Sequence, residues 1–357
     1  MDGRDDGSET PPEPRERTRA FASRVVGTGP FVDRVHLVDL FLYESSMFAN
    51  VGVVEGDGWV GLVDAGTSAT TGSILNYLNY LASSGSSRRA SRVLIVPTHH
   101  HVDHAGGLAP LLRHLARKGQ EVEILTTKGM AERLEDPREH EERARATFGP
   151  VVGEYRAVPR DRVTEVRAGQ RVALDERTTL RVVATPGHCP DHVVPTFELS
   201  GEGADVTTVA FAGEALGINL SRHLAPLPAS SAPEFDYSDY RRSIDRVKAL
   251  DADAVAFAHF GGVVGKDAVA SACHAAKRGL RDFRKAVLCL RERGLSTREI
   301  TARVYESYAS SLSPLALDPG LTKQLAFTVV YGVLLDDAKR MAGLTTVGEE
   351  SAAPPPP

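Results

Sequence analysis

The chain has 357 residues, 42% hydrophobic and 25% charged, with a formal net charge of −5. That balance is ordinary for a globular protein, and its sign argues against a broad nucleic-acid platform. No apolar run approaches the roughly 20 residues that span a bilayer, no leader pattern opens the chain, and Cys189, Cys273 and Cys289 lie too far apart to suggest a disulfide framework. The expected compartment is therefore a reducing cytoplasm, with no membrane or nucleic-acid partner.

Residues from Met1 to about Arg19 are acids, arginines, serines and prolines, and read as a disordered tail. Between Val32 and Val63 come four strand-like runs: His36-Leu37-Val38, Leu40-Phe41-Leu42-Tyr43, Val51-Gly52-Val53-Val54 and Trp59 to Val63. Asp57-Gly58 is a hairpin turn signal between the last two. Ile74, Leu75, Leu78, Leu81 and Ala82 have helical spacing, and Val93 to Val96 is a short buried strand by its β-branched content.

That strand runs into Thr98-His99-His100-His101-Val102-Asp103-His104-Ala105-Gly106-Gly107. Histidine and aspartate are mostly exposed unless something satisfies them, so this cluster directly behind a buried strand calls for a ligand. Residues two apart in an extended segment point the same way, so His99 and His101 can grip one ion. Asp103 and His104 then face elsewhere and can serve a second. His100 reads as a supporting or solvated residue. Leu108, Leu111, Leu112 and Leu115 resume a helix.

Further along, Val122 to Leu125 is a strand, and Lys128 to Leu134 and Arg138 to Thr147 are short charged helices. Leu180 to Ala184 is a strand whose end releases Thr185-Pro186-Gly187-His188. Cys189 is read as packing, and Asp191 and His192 as supporting or structural residues. Val193 to Leu199 and Val206 to Ala212 are strands around the turn-like Gly201-Glu202-Gly203, and the second delivers Glu214. A Pro-containing loop from Leu220 to Asp236 holds His223, read as solvated. Tyr240, Ile244, Val247 and Leu250 define a helix, and Ala254 to Ala258 is a buried strand that delivers His259. From Lys266 to about Ala342 the pattern is helical, with a Leu280, Phe283, Val287, Leu290 stripe and a capping box at Ser296 and Glu299. The Pro-rich end is a second disordered tail.

These motifs together resemble the metallo-β-lactamase-fold hydrolases. His99-x-His101-x-Asp103-His104 resembles the family signature. Asn50-Val51-Gly52 with Asp64-Ala65-Gly66, Thr185-Pro186-Gly187-His188, Gly213-Glu214 and Ala258-His259-Phe260-Gly261 resemble its other motifs in order and spacing. The resemblance implies an α/β fold, a four-layer αββα sandwich, with a C-terminal helical extension. It divides the chain into a tail over 1–24, a catalytic domain over 25–265, a helical extension over 266–345 and a tail over 346–357.

By the same resemblance His99, His101 and His188 hold one ion, Asp103, His104 and His259 hold another, and Glu214 bridges them where most relatives have Asp. Asp64 is then the acid that orients a ligand imidazole. Imidazoles and carboxylates suit Zn²⁺, two ions being expected, with Mn²⁺ or Fe²⁺ also compatible. The implied activity is a metal-dependent hydrolase, glyoxalase II-like, in which a metal-activated hydroxide cleaves a small ester or thioester and Asp103 holds the nucleophile and shuttles its proton. The helical extension would shape the pocket or pair two copies as a homodimer. Two alternatives stay open: a mononuclear iron sulfur-oxygenase like the persulfide dioxygenases, and a nucleic-acid or protein-binding module with a structural metal.

Overall fold

A computed structural model describes residues 24–25, 27–84, 90–201, 205–220, 225–259, 261–312 and 318–344. The two expected tails, apart from Arg24, lie outside the described residues, as do Glu202-Gly203, His223 and Phe260.

Two seven-stranded sheets form the body. The first runs in the order β2 (Gly29–Val32), β3 (Val35–Asp39), β4 (Asn50–Glu55), β5 (Trp59–Val63), β6 (Arg92–Val96), β7 (Glu121–Thr126), β8 (Val163–Glu165). The second runs β1 (Arg24–Val25), β14 (Gly262–Val264), β13 (Ala254–Ala256), β12 (Val206–Phe211), β11 (Val193–Ser200), β10 (Thr178–Ala184), β9 (Arg171–Asp175). Every residue of β3, β5 and β13 is buried, because each sheet is covered on both faces. Helices α1 (Thr71–Ser84) and α3 (Leu108–Arg117) pack on the outside of the first sheet, behind the short α2 (Val102–Ala105). After α4 (Lys128–Glu135) and α5 (Arg138–Phe148), helices α6 (Tyr237–Lys248) and α7 (Lys266–Glu292) cover the second sheet. Helices α8 (Thr297–Leu312) and α9 (Pro319–Met341) pack on one another and on α7. This is a four-layer αββα sandwich with C-terminal helices.

Strand direction sets where the chemistry goes. β5 and β6 pair in parallel, so Asp64 and the His99 loop leave the same edge of their sheet. β12 and β13 also pair in parallel, bringing out Glu214 and His259 together. β10 lies antiparallel to β11, which is antiparallel to β12, so the loop carrying His188 leaves that edge too. Strand carboxyl ends are where α/β sheets usually bind ligands.

One expected strand is not there. Leu40 to Tyr43 forms no strand; Leu42–Glu44 is a 3₁₀ turn. The Asp39 carboxylate accepts from the amides of Phe41 and Met47 at 3.0 and 2.7 Å and from the Ser46 hydroxyl at 3.0 Å. It curls the chain so tightly that Phe41, Tyr43, Glu44 and Met47 all take positive φ, a conformation side chains with a Cβ rarely accept. The capping box is present: the Glu299 carboxylate accepts from the Ser296 amide at 2.8 Å, and the Glu299 amide donates back to Ser296 Oγ at 3.3 Å.

The sheets touch closely at Gly52, where an added Cβ would fall 2.0 Å from the Phe211 ring. Gly52→Ala should therefore overpack the interface and destabilise the fold by about 1–3 kcal/mol, measured as a lower urea midpoint. An unchanged midpoint would mean that the sheets separate freely there.

Candidate metal centre

Seven side chains from four strand ends meet at this edge. His188 Nε2 lies 3.1 Å from His99 Nε2 and 2.8 Å from His101 Nδ1. A tetrahedral zinc with bonds of about 2.0–2.1 Å holds its nitrogens roughly 3.3 Å apart, so this trio is close to ligand spacing. Beside it, ligand atoms of Asp103, His104 and His259 lie within 4.8 Å of one another. Glu214 touches both groups. Its Oε2 is 2.6 Å from His188 Nε2 and 3.6 Å from His99 Nε2, while its Oε1 is 3.3 Å from His259 Nε2.

The remaining nitrogen of most of these rings is anchored. His104 Nδ1 donates to Asp64 Oδ2 at 2.9 Å, and Thr98 donates its amide and hydroxyl to Asp64 Oδ1 at 2.7 and 2.9 Å. His99 Nδ1 lies 3.0 Å from Thr98 Oγ1. His188 Nδ1 donates to the Ala229 carbonyl at 2.6 Å, and His259 Nδ1 to the Phe48 carbonyl at 2.9 Å. Asn50 locks the His259 loop by donating to the Phe257 carbonyl at 2.7 Å and accepting from the Gly261 amide at 2.9 Å. With Nδ1 protonated, Nε2 presents a lone pair, and such outer partners are what fix metal-binding imidazoles.

The electrostatics suit a cation. Burial, then the neighbouring imidazoles, push His99 and His101 well below the ordinary histidine range, so both are neutral donors. Burial also works against charge on His104, yet Asp103, Asp64 and Glu214 raise it to about 10. Burial opposes ionisation of Glu214, but His188 and His259 hold it well below the usual carboxylate range. His104 Nε2 is buried with no hydrogen-bond partner. Such an orphan costs about 1–3 kcal/mol, which a cation that displaced its proton would relieve. The donor set of nitrogens and carboxylate oxygens fits zinc, manganese or iron.

Further neighbours support the centre, some of them expected and some without a local signal in the sequence. His100 takes the supporting one of its two expected places, not the solvated one: its Nδ1 donates to Asp191 Oδ1 at 2.8 Å, and Tyr155 donates to its carbonyl at 2.6 Å. Arg133 reaches His100 Nε2 at 3.2 Å and Glu234 Oε1 at 2.7 Å, and Glu234 Oε2 lies 3.8 Å from His101 Nε2. His140 stacks on His101 with centroids 4.7 Å apart and accepts from the Val102 amide at 3.1 Å. His192 Nε2 accepts from the Glu214 amide at 3.1 Å, which places it as a backbone support. Cys189 is buried and hydrogen-bonded to Asp191, and burial pushes its thiol well up. Phe148 lines the adjoining cavity, whereas Val152 and Tyr155 are buried and Val151 is exposed.

That cavity, about 490 Å³, opens from His101, Asp103, Glu214 and His259 and is walled by Tyr43, Phe48, Phe148, Ile218 and residues of α9. Tyr43 projects from the strained turn. Burial, followed by the charges of Asp103 and Glu214, keeps its phenol protonated far above neutral pH.

The anchors can be tested one at a time. Asp64 sits at φ 68°, which asparagine tolerates, so Asp64→Asn should keep the fold and lower metal affinity about 10- to 100-fold, measured by competition with a chelator. Unchanged affinity would remove Asp64 from the site. A second test uses acid. Burial alone would raise Asp191, but His100 and Arg133 hold it at about 2. A carboxyl depressed on folding adds stability that is complete above its unfolded value of about 3.9 and is lost as pH falls from about 4 to about 2. Denaturant midpoints of Asp191→Asn should fall less steeply than wild type across that window; parallel curves would refute the role.

A family model described as the metallo-β-lactamase superfamily matches residues 47–259. Comparison with curated proteins gives no match. Solved structures similar to the chain include a metallo-β-lactamase family protein from Thermus thermophilus, at 22% identity over 88% of this chain and 95% of that one, with a TM-score of 0.57. An archaeal metallo-β-lactamase superfamily protein from Sulfolobus tokodaii matches at 21% identity over 70% of this chain and 99% of that one, with a TM-score of 0.50. A motif mutant of a metallo-β-lactamase from Cronobacter sakazakii matches at 20% over 75% and 99%, also with a TM-score of 0.50. At such identities the structural likeness shows the fold alone. Because the family model spans more than half of the sequence, the chain belongs to the metallo-β-lactamase superfamily.

Proposed function

We propose that this protein is a metal-dependent hydrolase that holds two divalent ions, zinc preferred, and cleaves a small ester or thioester, as in the glyoxalase II-like branch. The observation that carries the reading is Glu214, whose two oxygens reach separate imidazole groups, Oε2 towards His188 and Oε1 towards His259. His99, His101 and His188 would hold one ion and Asp103, His104 and His259 the other. Glutamate is one methylene longer than aspartate, and here its backbone is fixed at both ends. Its amide donates to His192 at 3.1 Å, and its carbonyl accepts from Tyr240 at 2.5 Å.

Divalent ions at such a site lower the pKa of water to about 7 and polarise an acyl oxygen. The chain's own residues do the rest. Asp103 is half-buried at the cavity floor, with Oδ2 3.5 Å from His104 Nε2. It orients the attacking water and passes its proton towards the leaving group. Tyr43, held protonated, is part of the cavity wall.

Metal analysis of purified protein should find about two zinc ions per chain, and an ester and thioester panel should show turnover that drops about 10²- to 10⁴-fold in Asp103→Asn. One iron per chain with sulfur oxidation, or a filled metal site with no turnover of any panel member, would overturn the proposal.

A further inference from the structure

We propose that the substrate is an amphiphile whose reacting carbonyl sits at the metal end and whose apolar tail, of medium-chain acyl length, lies along α9, with Leu325 and Tyr331 setting the preference. The inference rests on the hydrolase reading for the word carbonyl, and on the cavity alone for the tail.

The cavity lining holds two unlike sets of residues. One is His101, Asp103, Glu214 and His259. The other is apolar and includes Phe148 of α5, Ile218, and Leu321, Leu325 and Leu335 of α9. Positions 321, 325, 328 and 335 share one face of a helix, so α9 offers a continuous strip rather than scattered contacts. Leu321, Leu325 and Leu335, which line the cavity, are only half-buried. At the rim, Phe327 and Tyr331 are exposed and stack almost parallel, 7° apart with centroids at 5.6 Å. Apolar residues lining a pocket and continuing to its mouth mark an apolar ligand.

The charges on the wall are already partnered. Arg143 pairs with Glu139 at 2.5 Å, and Glu234 with Arg133 at 2.7 Å. A hydrocarbon tail leaves both pairs in place. The volume of about 490 Å³ exceeds what an acetyl or lactoyl group fills and lies in the usual range of about 300–1,000 Å³ for drug-sized ligands.

The wall is also fixed. Ser230 donates to the Val329 carbonyl at 2.7 Å, and the helix approaches so closely that a Cβ on Gly332 would fall 1.7 Å from the Ser230 carbonyl oxygen. Arg340 binds Asp336 at 2.9 Å and Asp236 at 3.0 Å. A strip held this firmly is preorganised for its ligand.

The test uses straight-chain carboxylates from butyrate to decanoate as binding probes, titrated calorimetrically into the metal-loaded protein, alongside hydrolysis of the matching p-nitrophenyl esters. Affinity should rise about two- to fourfold per added methylene, near the transfer value for a buried CH₂. Tyr331→Ala and Leu325→Ala should flatten that slope and leave butyrate unchanged. Leu325→Phe, which narrows the strip without emptying it, should weaken decanoate at least tenfold relative to butyrate. Steep binding with ester turnover supports both readings. Steep binding without turnover supports the tail and defeats the hydrolase. Affinity independent of chain length, or a slope untouched by all three substitutions, overturns the inference whatever the turnover.

Discussion

Most imidazoles in this centre are held in place by where their other nitrogen goes. His104 is anchored by Asp64, His188 by the Ala229 carbonyl and His259 by the Phe48 carbonyl, while His99 is tied to Asp64 through Thr98. The anchors come from three separate loops, those of Asp64, Ala229 and Phe48. The lone pairs converge only if the loops leave the same edge, and the parallel pairings of β5 with β6 and β12 with β13 ensure that they do. The carboxylates of Asp64, Asp103 and Glu214 favour positive charge at this point, on the His104 imidazole or on a cation that displaces its proton. The fold uses backbone carbonyls to hold the rings in an arrangement that suits a metal.

The same logic explains two glycines in the ligand loops. A Cβ on Gly187 would fall 2.1 Å from the Tyr240 amide nitrogen, so the turn before His188 has to pass flat against the start of α6. Gly213 takes φ 52° and leaves room for His192, which in turn receives the Glu214 amide. The turn and the support are one device: a side chain at either position would push a ligand off its place.

What the sequence discloses and what it hides divide along one line. The ligand cluster, the strand ends and Asp64 are readable because each is a local pattern: alternation in His99-x-His101, an apolar run before a histidine, an aspartate at a hairpin end. The core strands of both sheets are readable for the same reason. The edge strands Val163–Glu165 and Arg171–Asp175 are not, since they are short and partly exposed and carry no clean alternation. Tyr43 is hidden because Leu40 to Tyr43 looks like a strand until the Asp39 carboxylate bends it. Arg133, His140 and Glu234 are hidden because nothing local distinguishes them; they meet only in the tertiary fold. The first turn of α9, which begins at Pro319 ahead of the Leu325 to Met341 run, is fixed by the Asp318 carboxylate, which accepts from the Leu321 amide at 3.0 Å.

The loop from Ala229 to Glu234 joins the two ends of the cavity mechanically. Ala229 orients His188, Ser230 grips α9, and Glu234 reaches towards His101. On α9 the gripping positions Val329, Gly332 and Asp336 lie in a stripe beside the lining positions Leu321, Leu325 and Thr328. Helical geometry thus lets one helix perform two tasks with different tolerances. The gripping stripe meets backbone at contact distance, so any side chain at Gly332 displaces the loop and, through Ala229, a ligand imidazole. The lining stripe meets open cavity, so its side chains can change size without moving the centre. The centre and the cavity lining can therefore vary separately, although both depend on the same short loop.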